Sequence, residues 1–215
     1  MFTVLESSLP YLLQGAVMTL WLSVAVVGLG TLLGIAMGIL ATTRSRLARA
    51  LVTGYIFVLR GIPVLVVMFL GYYAFPAFGL HVNGYVAVGL AQIVYLGAFV
   101  AEITRSAILS IPAGQIAAAR SLGMRRPAIL RQVILPQAAR IAIAPLLNSA
   151  LTAIKQTSYA SVVGVWELTY AAREVVERTL AAFQIFLGVM VIYFLICYPL
   201  SLAARWSESR LSFSH

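Results

Sequence analysis

Three charged side chains stand inside long apolar runs: Arg60, Glu102 and Lys155. A charge at the centre of a membrane-crossing helix costs roughly 2.5–3.5 kcal/mol on insertion scales, so each needs a partner or a task. Arg60 and Glu102 fall at similar depth in neighbouring runs and carry opposite signs, which allows an ion pair between helices. Two local alternatives compete with that pair. Arg60 can reach the interface along its own stem, and Glu102 can pair with Arg105 at i, i+3. Lys155 differs because no acid is expected at its depth. At roughly 100° per residue it shares a narrow helical stripe with Asn148, Thr152 and Tyr159, and Gln156 and Ser158 lie beside it in the chain. A polar stripe at membrane depth faces a bundle interior or a wet cavity. There Lys155 either meets an anion from outside the chain, such as the carboxylate of a translocated solute, or caps backbone carbonyls.

Residues for familiar catalysis do not assemble. Lys155 is the only lysine and no glycine-rich phosphate loop precedes it, so ATP binding by that device is excluded. The chain contains no Asp, which removes a Ser-His-Asp triad. His81 and His215 are isolated and far from Cys197, so no metal site is expected. Cys197, the single cysteine, reads as a small packing residue.

The elements that carry these residues must lie in lipid. The chain of 215 residues is 62% hydrophobic and only 10% charged, against roughly 25% charged in globular domains. An all-α integral membrane protein follows. Spans of ~20 apolar residues fit at about 15–41, 51–75, 84–108, 141–163 and 183–204. Basic residues cluster after the first span (Arg44, Arg46, Arg49), after the third (Arg105 to Arg140) and in the tail. That bias predicts the N-terminus outside and the C-terminus in the cytoplasm. It also explains the net charge of +9 without any nucleic acid. The opening residues MFTVLESSLP lack a basic leader, so the first span is expected to be retained. Gly30, Gly34 and Gly38 allow close helix approach, either within the chain or between subunits, with the former favoured. Glu167 to Arg178 is expected as an outer loop.

One long segment between spans, Ile111 to Pro136, is too polar for lipid yet has helix punctuation. Pro112 suits a first helical turn, and Gly123 suits a left-handed helix end. A second short helix is expected from Pro127 to Leu135, ended by Pro136.

This segment, IPAGQIAAARSLG followed by VILPQA, resembles the cytoplasmic loop of binding-protein-dependent ABC importer permeases, most closely the polar amino acid subgroup. LLQGAVMTLWLS, LRGIPVLV, AEITRSAILSIP and KQTSYASVVGVWELTYAA are similar to that family's motifs in the same order. The resemblance implies a type I importer permease fold over residues 12–205, with a short cytoplasmic tail at 206–215. It implies coupling helices within 111–136, with Pro112, Gly114, Gln115, Ile116, Ala117, Ala118, Ala119, Arg120, Leu122 and Gly123 meeting the ATPase. It further implies a partner ATPase dimer that holds ATP and magnesium, a second permease copy or paralogue, and an extracytoplasmic solute-binding protein. The chain itself would bind no cofactor, and its solute would be a polar amino acid or a related compound such as an opine. Two departures stand out. The family's Glu-Ala-Ala triplet is Ala117, Ala118, Ala119 here, and the often acidic residue after Lys155 is Gln156. An intramembrane enzyme would need clustered acids or histidines at depth. A channel or scaffold subunit would lack an ATPase partner.

Overall fold

The computed structural model describes residues 3–211; Met1, Phe2 and residues 212–215, which include His215, lie outside the described residues. Helix α1 (Thr3–Leu40) buries Leu12, Ala16, Thr19, Ser23, Val26, Gly30, Gly34 and Gly38, one residue every three or four positions. That spacing is a single helical face. A Cβ added at Gly34 would stand 2.4 Å from the Val100 Cβ, and one at Gly38 would stand 2.5 Å from that of Thr104. Gly30 lies against Leu96 in the same way. The glycine pattern therefore serves contact within the chain, between α1 and α4 (Gly84–Leu109). α1 starts earlier than the expected span, at Thr3.

The three glycine contacts advance in the same direction along both helices, so α1 and α4 run parallel. A parallel pair requires the chain to cross back between them. The second span was expected as one apolar helix over 51–75, and the structure corrects this. α2 (Arg46–Arg60) and α3 (Val64–Ala77) meet at an angle of 106°. Each is only about 22 Å long at ~1.5 Å per residue, short of a ~30 Å hydrocarbon core. Gly61 and Pro63 supply the break, because proline has no N–H to continue the ladder and restrains the residue before it. α2 is seated on α4 through Val52, Ile56 and Ala101, and the Tyr55 hydroxyl donates to the Val94 carbonyl at 2.5 Å. The parallel run of α1 and α4 makes the broken pair the return crossing. Counted as one span with α1, α4, the α6–α7 helix and α9, each long and apolar enough to cross, it brings the number to five.

Helix α5 (Ala113–Ser121) starts one position later than expected, with Pro112 as its N-cap. It ends as Gly123 predicted. Gly123 has φ of 76°, its N–H donates to Arg120 O, and the Met124 N–H donates to Ala119 O. These two bonds make the Schellman end in which glycine avoids a Cβ clash.

Pro136 does not end the next helix, contrary to the sequence expectation. α6 (Arg126–Ile129) passes through a π turn at Leu130–Ile134 into α7 (Leu135–Gln156). The Leu135 N–H reaches back five residues to Leu130 O. That wider turn accommodates the missing proline N–H and the ring. The helix that carries the fourth apolar span therefore begins at Arg126, ahead of the span expected from 141, and continues as a 3-10 stretch to Val163.

The segment expected between the fourth and fifth spans is itself helical. Leu168–Thr179 forms helix α8, which buries Leu168, Ala171, Ala172 and Val175 against Leu12 and Ala16 of α1 and Ile185, Val189 and Ile192 of α9 (Ala182–Leu211). A second apolar cluster joins Leu22 and Val26 to Met68, Val88, Leu96, Val100 and Ala153. α1 belongs to both clusters and ties the two ends of the bundle together.

Candidate functional site

A cavity of about 240 Å³ lies between α4 and α7. α7 contributes Asn148, Ser149, Thr152 and Gln156, which recur at three- and four-residue steps along one face. α4 contributes Tyr95, Leu96 and Phe99, with the Tyr95 and Phe99 rings 5.0 Å apart. No formally charged residue is among the lining groups. Carboxamide and hydroxyl groups offer donors and acceptors, and the two rings close the wall. This composition suits a small polar ligand whose charges are met by dipoles rather than by ions. Tyr95 and Phe99 were not singled out from the sequence, although their i, i+4 spacing on a polar-facing helix was the available signal.

The polar stripe expected on α7 does not face one space. Asn148, Thr152 and Gln156 line the cavity just described. Lys155 instead lines a separate cavity of about 400 Å³ between α7 and α9, with Tyr193, Cys197, Tyr198, Ser201 and Arg205. It also lies nearer the Val163 end of its helix than the middle, because the helix starts at Arg126. Ser158 gives its hydroxyl to the Lys155 carbonyl at 2.8 Å, inside the 3-10 turn. Tyr159 is 40% exposed and lies close enough to Tyr95 to act on it electrostatically.

Arg60 and Glu102 do not pair with each other. Arg105 grips both oxygens of Glu102, with Nη2 to Oε1 at 2.7 Å and Nε to Oε2 at 2.9 Å. The fork geometry of guanidinium on carboxylate makes this pair strong and directional. Arg60 is not bonded to Glu102. Its guanidinium carbon sits 5.6 Å from the centroid of the Phe99 ring, which also lines the α4–α7 cavity.

Glu167 was placed in an outer loop by its sequence, yet it is fully buried. Its carboxylate caps α8 by accepting from the Tyr170 N–H at 2.9 Å. It also accepts from the Tyr193 hydroxyl of α9 at 3.1 Å and lies 3.2 Å from the Thr19 hydroxyl of α1. Three elements thus converge on one side chain. Burial pushes its carboxyl above the ordinary carboxylate range, and hydrogen bonds from the Thr169 and Tyr170 backbone and from Tyr193 and Thr19 oppose that push. A second cluster beside it joins Tyr11, Trp166 and Glu174, with the Trp166 indole donating to Tyr11 at 3.1 Å.

On the elbow, Gly114, Gln115, Ala117, Ala118, Arg120, Leu122 and Gly123 are exposed, as is Pro112, while Ala119 is buried and Ile116 half-buried. Leu122 is 83% exposed. The Gln115 side chain binds Gln137 at 2.5 Å, which ties α5 to the base of α7.

Residues 30–213 match the family of binding-protein-dependent transport system inner membrane components. The chain is 37% identical over 206 residues to the glutamine transport system permease protein GlnP of Escherichia coli (strain K12), covering 95% of this chain and 94% of that one. It is 34% identical over 203 residues to the probable glutamine ABC transporter permease protein GlnM of Bacillus subtilis (strain 168), covering 94% of each. The L-cystine transport system permease protein TcyB of the same Bacillus strain is 35% identical, over 96% of this chain and 88% of that protein. Among solved structures, an amino acid ABC transporter crystallised with histidines superposes with a TM-score of 0.91 at 30% identity over 98% of both chains. An inward-facing MetNI methionine transporter superposes with 0.78 at 20% identity over 97% of this chain and 99% of that one, which supports the fold alone. This chain therefore belongs to the inner membrane components of binding-protein-dependent transport systems and is a multi-pass permease subunit of an ABC importer.

Proposed function

We propose that the chain moves a neutral polar amino acid, with a carboxamide side chain such as glutamine as the leading candidate, through the cavity between α4 and α7. The observation that carries this reading is the lining itself. Asn148, Thr152 and Gln156 offer uncharged donors and acceptors, and Tyr95 and Phe99 close the wall. A cationic or anionic side chain would find no opposite charge there and would be desolvated at a loss. The relatives named for glutamine transport favour the same class.

The domain is residues 12–205, with the N-terminus outside, as the basic residues of the elbow and tail favour. An extracytoplasmic binding protein delivers solute from that side. A dimer of ATPases, with ATP and magnesium, engages the exposed small residues Gly114, Ala117 and Ala118 and the apolar end at Leu122. A second permease, identical or related, completes the pathway. Solute selection is assigned to Asn148, Thr152 and Gln156 rather than to Lys155.

The test is ATP-driven uptake of labelled glutamine by the full importer in proteoliposomes, with binding protein supplied on the face opposite the ATPase. Unlabelled asparagine and cystine should compete better than arginine or glutamate. Faster uptake of arginine or glutamate than of glutamine would overturn the solute class. Absence of ATP-dependent uptake of any amino acid would overturn the reading as a whole.

A further inference from the structure

A cavity of about 530 Å³ lies behind the elbow, where α1 ends, α4 ends and α6 begins. Three arginines from three separate segments line it: Arg44 after α1, Arg120 on α5 and Arg126 at the start of α6. None makes an ion pair or hydrogen bond among the described residues, and the only ion pair there is that of Glu102 with Arg105. All three are exposed, and Arg44 and Arg120 lie near enough to Arg126 to act on it electrostatically. Three like charges around one space, with no acid in its lining, favour an anion there. The rest of the lining is mostly aliphatic, including Ile39, Ile108 and Leu130. A free inorganic anion would leave that wall unfilled.

We infer that this cavity is a binding site for an anionic phospholipid, with the headgroup phosphate among Arg44, Arg120 and Arg126 and an acyl chain along the Ile39, Ile108 and Leu130 wall. Its position supports this, because the cavity is lined by the ends of two long apolar helices, α1 at Ile39 and α4 at Ile108 and Leu109, where a spanning helix meets the headgroup layer. Basic pockets between crossings at that depth recognise lipid phosphates. The occupant then lies between the membrane and α5, so the elbow is held from behind by lipid. This inference does not depend on which solute is carried.

The test uses the whole importer, permease with its ATPase, purified in mild detergent and titrated with phosphatidylglycerol or phosphatidylcholine under native mass spectrometry. Phosphatidylglycerol should bind more tightly, and added salt should weaken it selectively. The double variant Arg44→Gln, Arg126→Gln should weaken it by roughly fivefold per arginine removed, with phosphatidylcholine unchanged. The pair Arg44→Lys, Arg126→Lys should keep most of the affinity. Equal binding of the two lipids by the parent complex overturns the inference without any variant. So does inorganic phosphate that competes phosphatidylglycerol away at equal concentration, since the site would then be for free phosphate. Loss of the ATPase from the glutamine variant with lipid affinity intact would assign the arginines to the ATPase interface and overturn it equally.

Discussion

Lys155 and Gln156 are neighbours in the chain, yet their side chains line different cavities. Gln156 opens toward Tyr95 and Phe99 on α4, and Lys155 opens toward Tyr193 and Tyr198 on α9. One residue of helix turns the side chain by roughly 100°, which is enough to separate a neutral polar space from one that holds two cations, Lys155 and Arg205.

Substitution should separate the two. Gln156→Leu should raise the half-saturating solute concentration for uptake roughly 10- to 100-fold, the range for a polar partner left unpaired. Lys155→Met should change it little. Uptake kinetics of both variants, normalised to membrane content, decide the matter. An equal defect in Lys155→Met would bring the lysine back into the solute pathway.

The α1–α4 contact predicts a steep size limit. Gly34→Leu must displace Val100 or the Gly97 carbonyl, which a Cβ would approach within 2.7 Å. A loss of about 1–3 kcal/mol or more is expected from overpacking. Gly28 has nothing within 4 Å of its would-be Cβ, so Gly28→Ala should leave stability unchanged or slightly raised. Thermal unfolding in detergent compares the two directly.

Glu167 predicts a dependence of stability on pH with an unusual sign. Its carboxyl is raised in the folded state, chiefly by burial, so the folded protein holds this proton more tightly than the unfolded chain. Its contribution is full below the ordinary carboxylate value of about 4.3 and is lost as pH climbs through the raised value. Glu167→Gln should flatten that part of the profile while keeping much of the hydrogen bonding. Glu167→Ala should destabilise at every pH, because Thr19, Tyr193 and the α8 cap lose their acceptor. An identical pH profile in parent and Glu167→Gln would show that another group is responsible.

The elbow predicts a coupling defect without loss of the bundle. Gly123→Val forces a branched side chain into φ of 76°, at a cost of about 1–2 kcal/mol. Leu122→Asp removes the exposed apolar end of α5. Both should lower solute-stimulated ATP hydrolysis in the reconstituted importer while membrane insertion stays normal. Retained stimulation in both would remove the α5 end from the docking surface.

The sequence alone determined the membrane class, the apolar spans and where along the chain the elbow falls. These follow from local quantities: apolar run length, and Pro112 and Gly123 at the ends of α5. It also held the break between α2 and α3 in plain view, at Gly61 and Pro63, but hydropathy does not register a bend inside an apolar run. Pro136 misled in the opposite direction, because the π turn at Leu130–Ile134 absorbs the proline and the helix runs on. Tertiary structure decided the rest. Which cavity Lys155 faces, that Arg60 stacks on Phe99 instead of pairing with Glu102, and that Glu167 is buried under α1, α8 and α9 all depend on helix rotation and packing. Those contacts join residues far apart in the chain, such as Thr19 with Glu167, and their energy exists only once the helices are side by side.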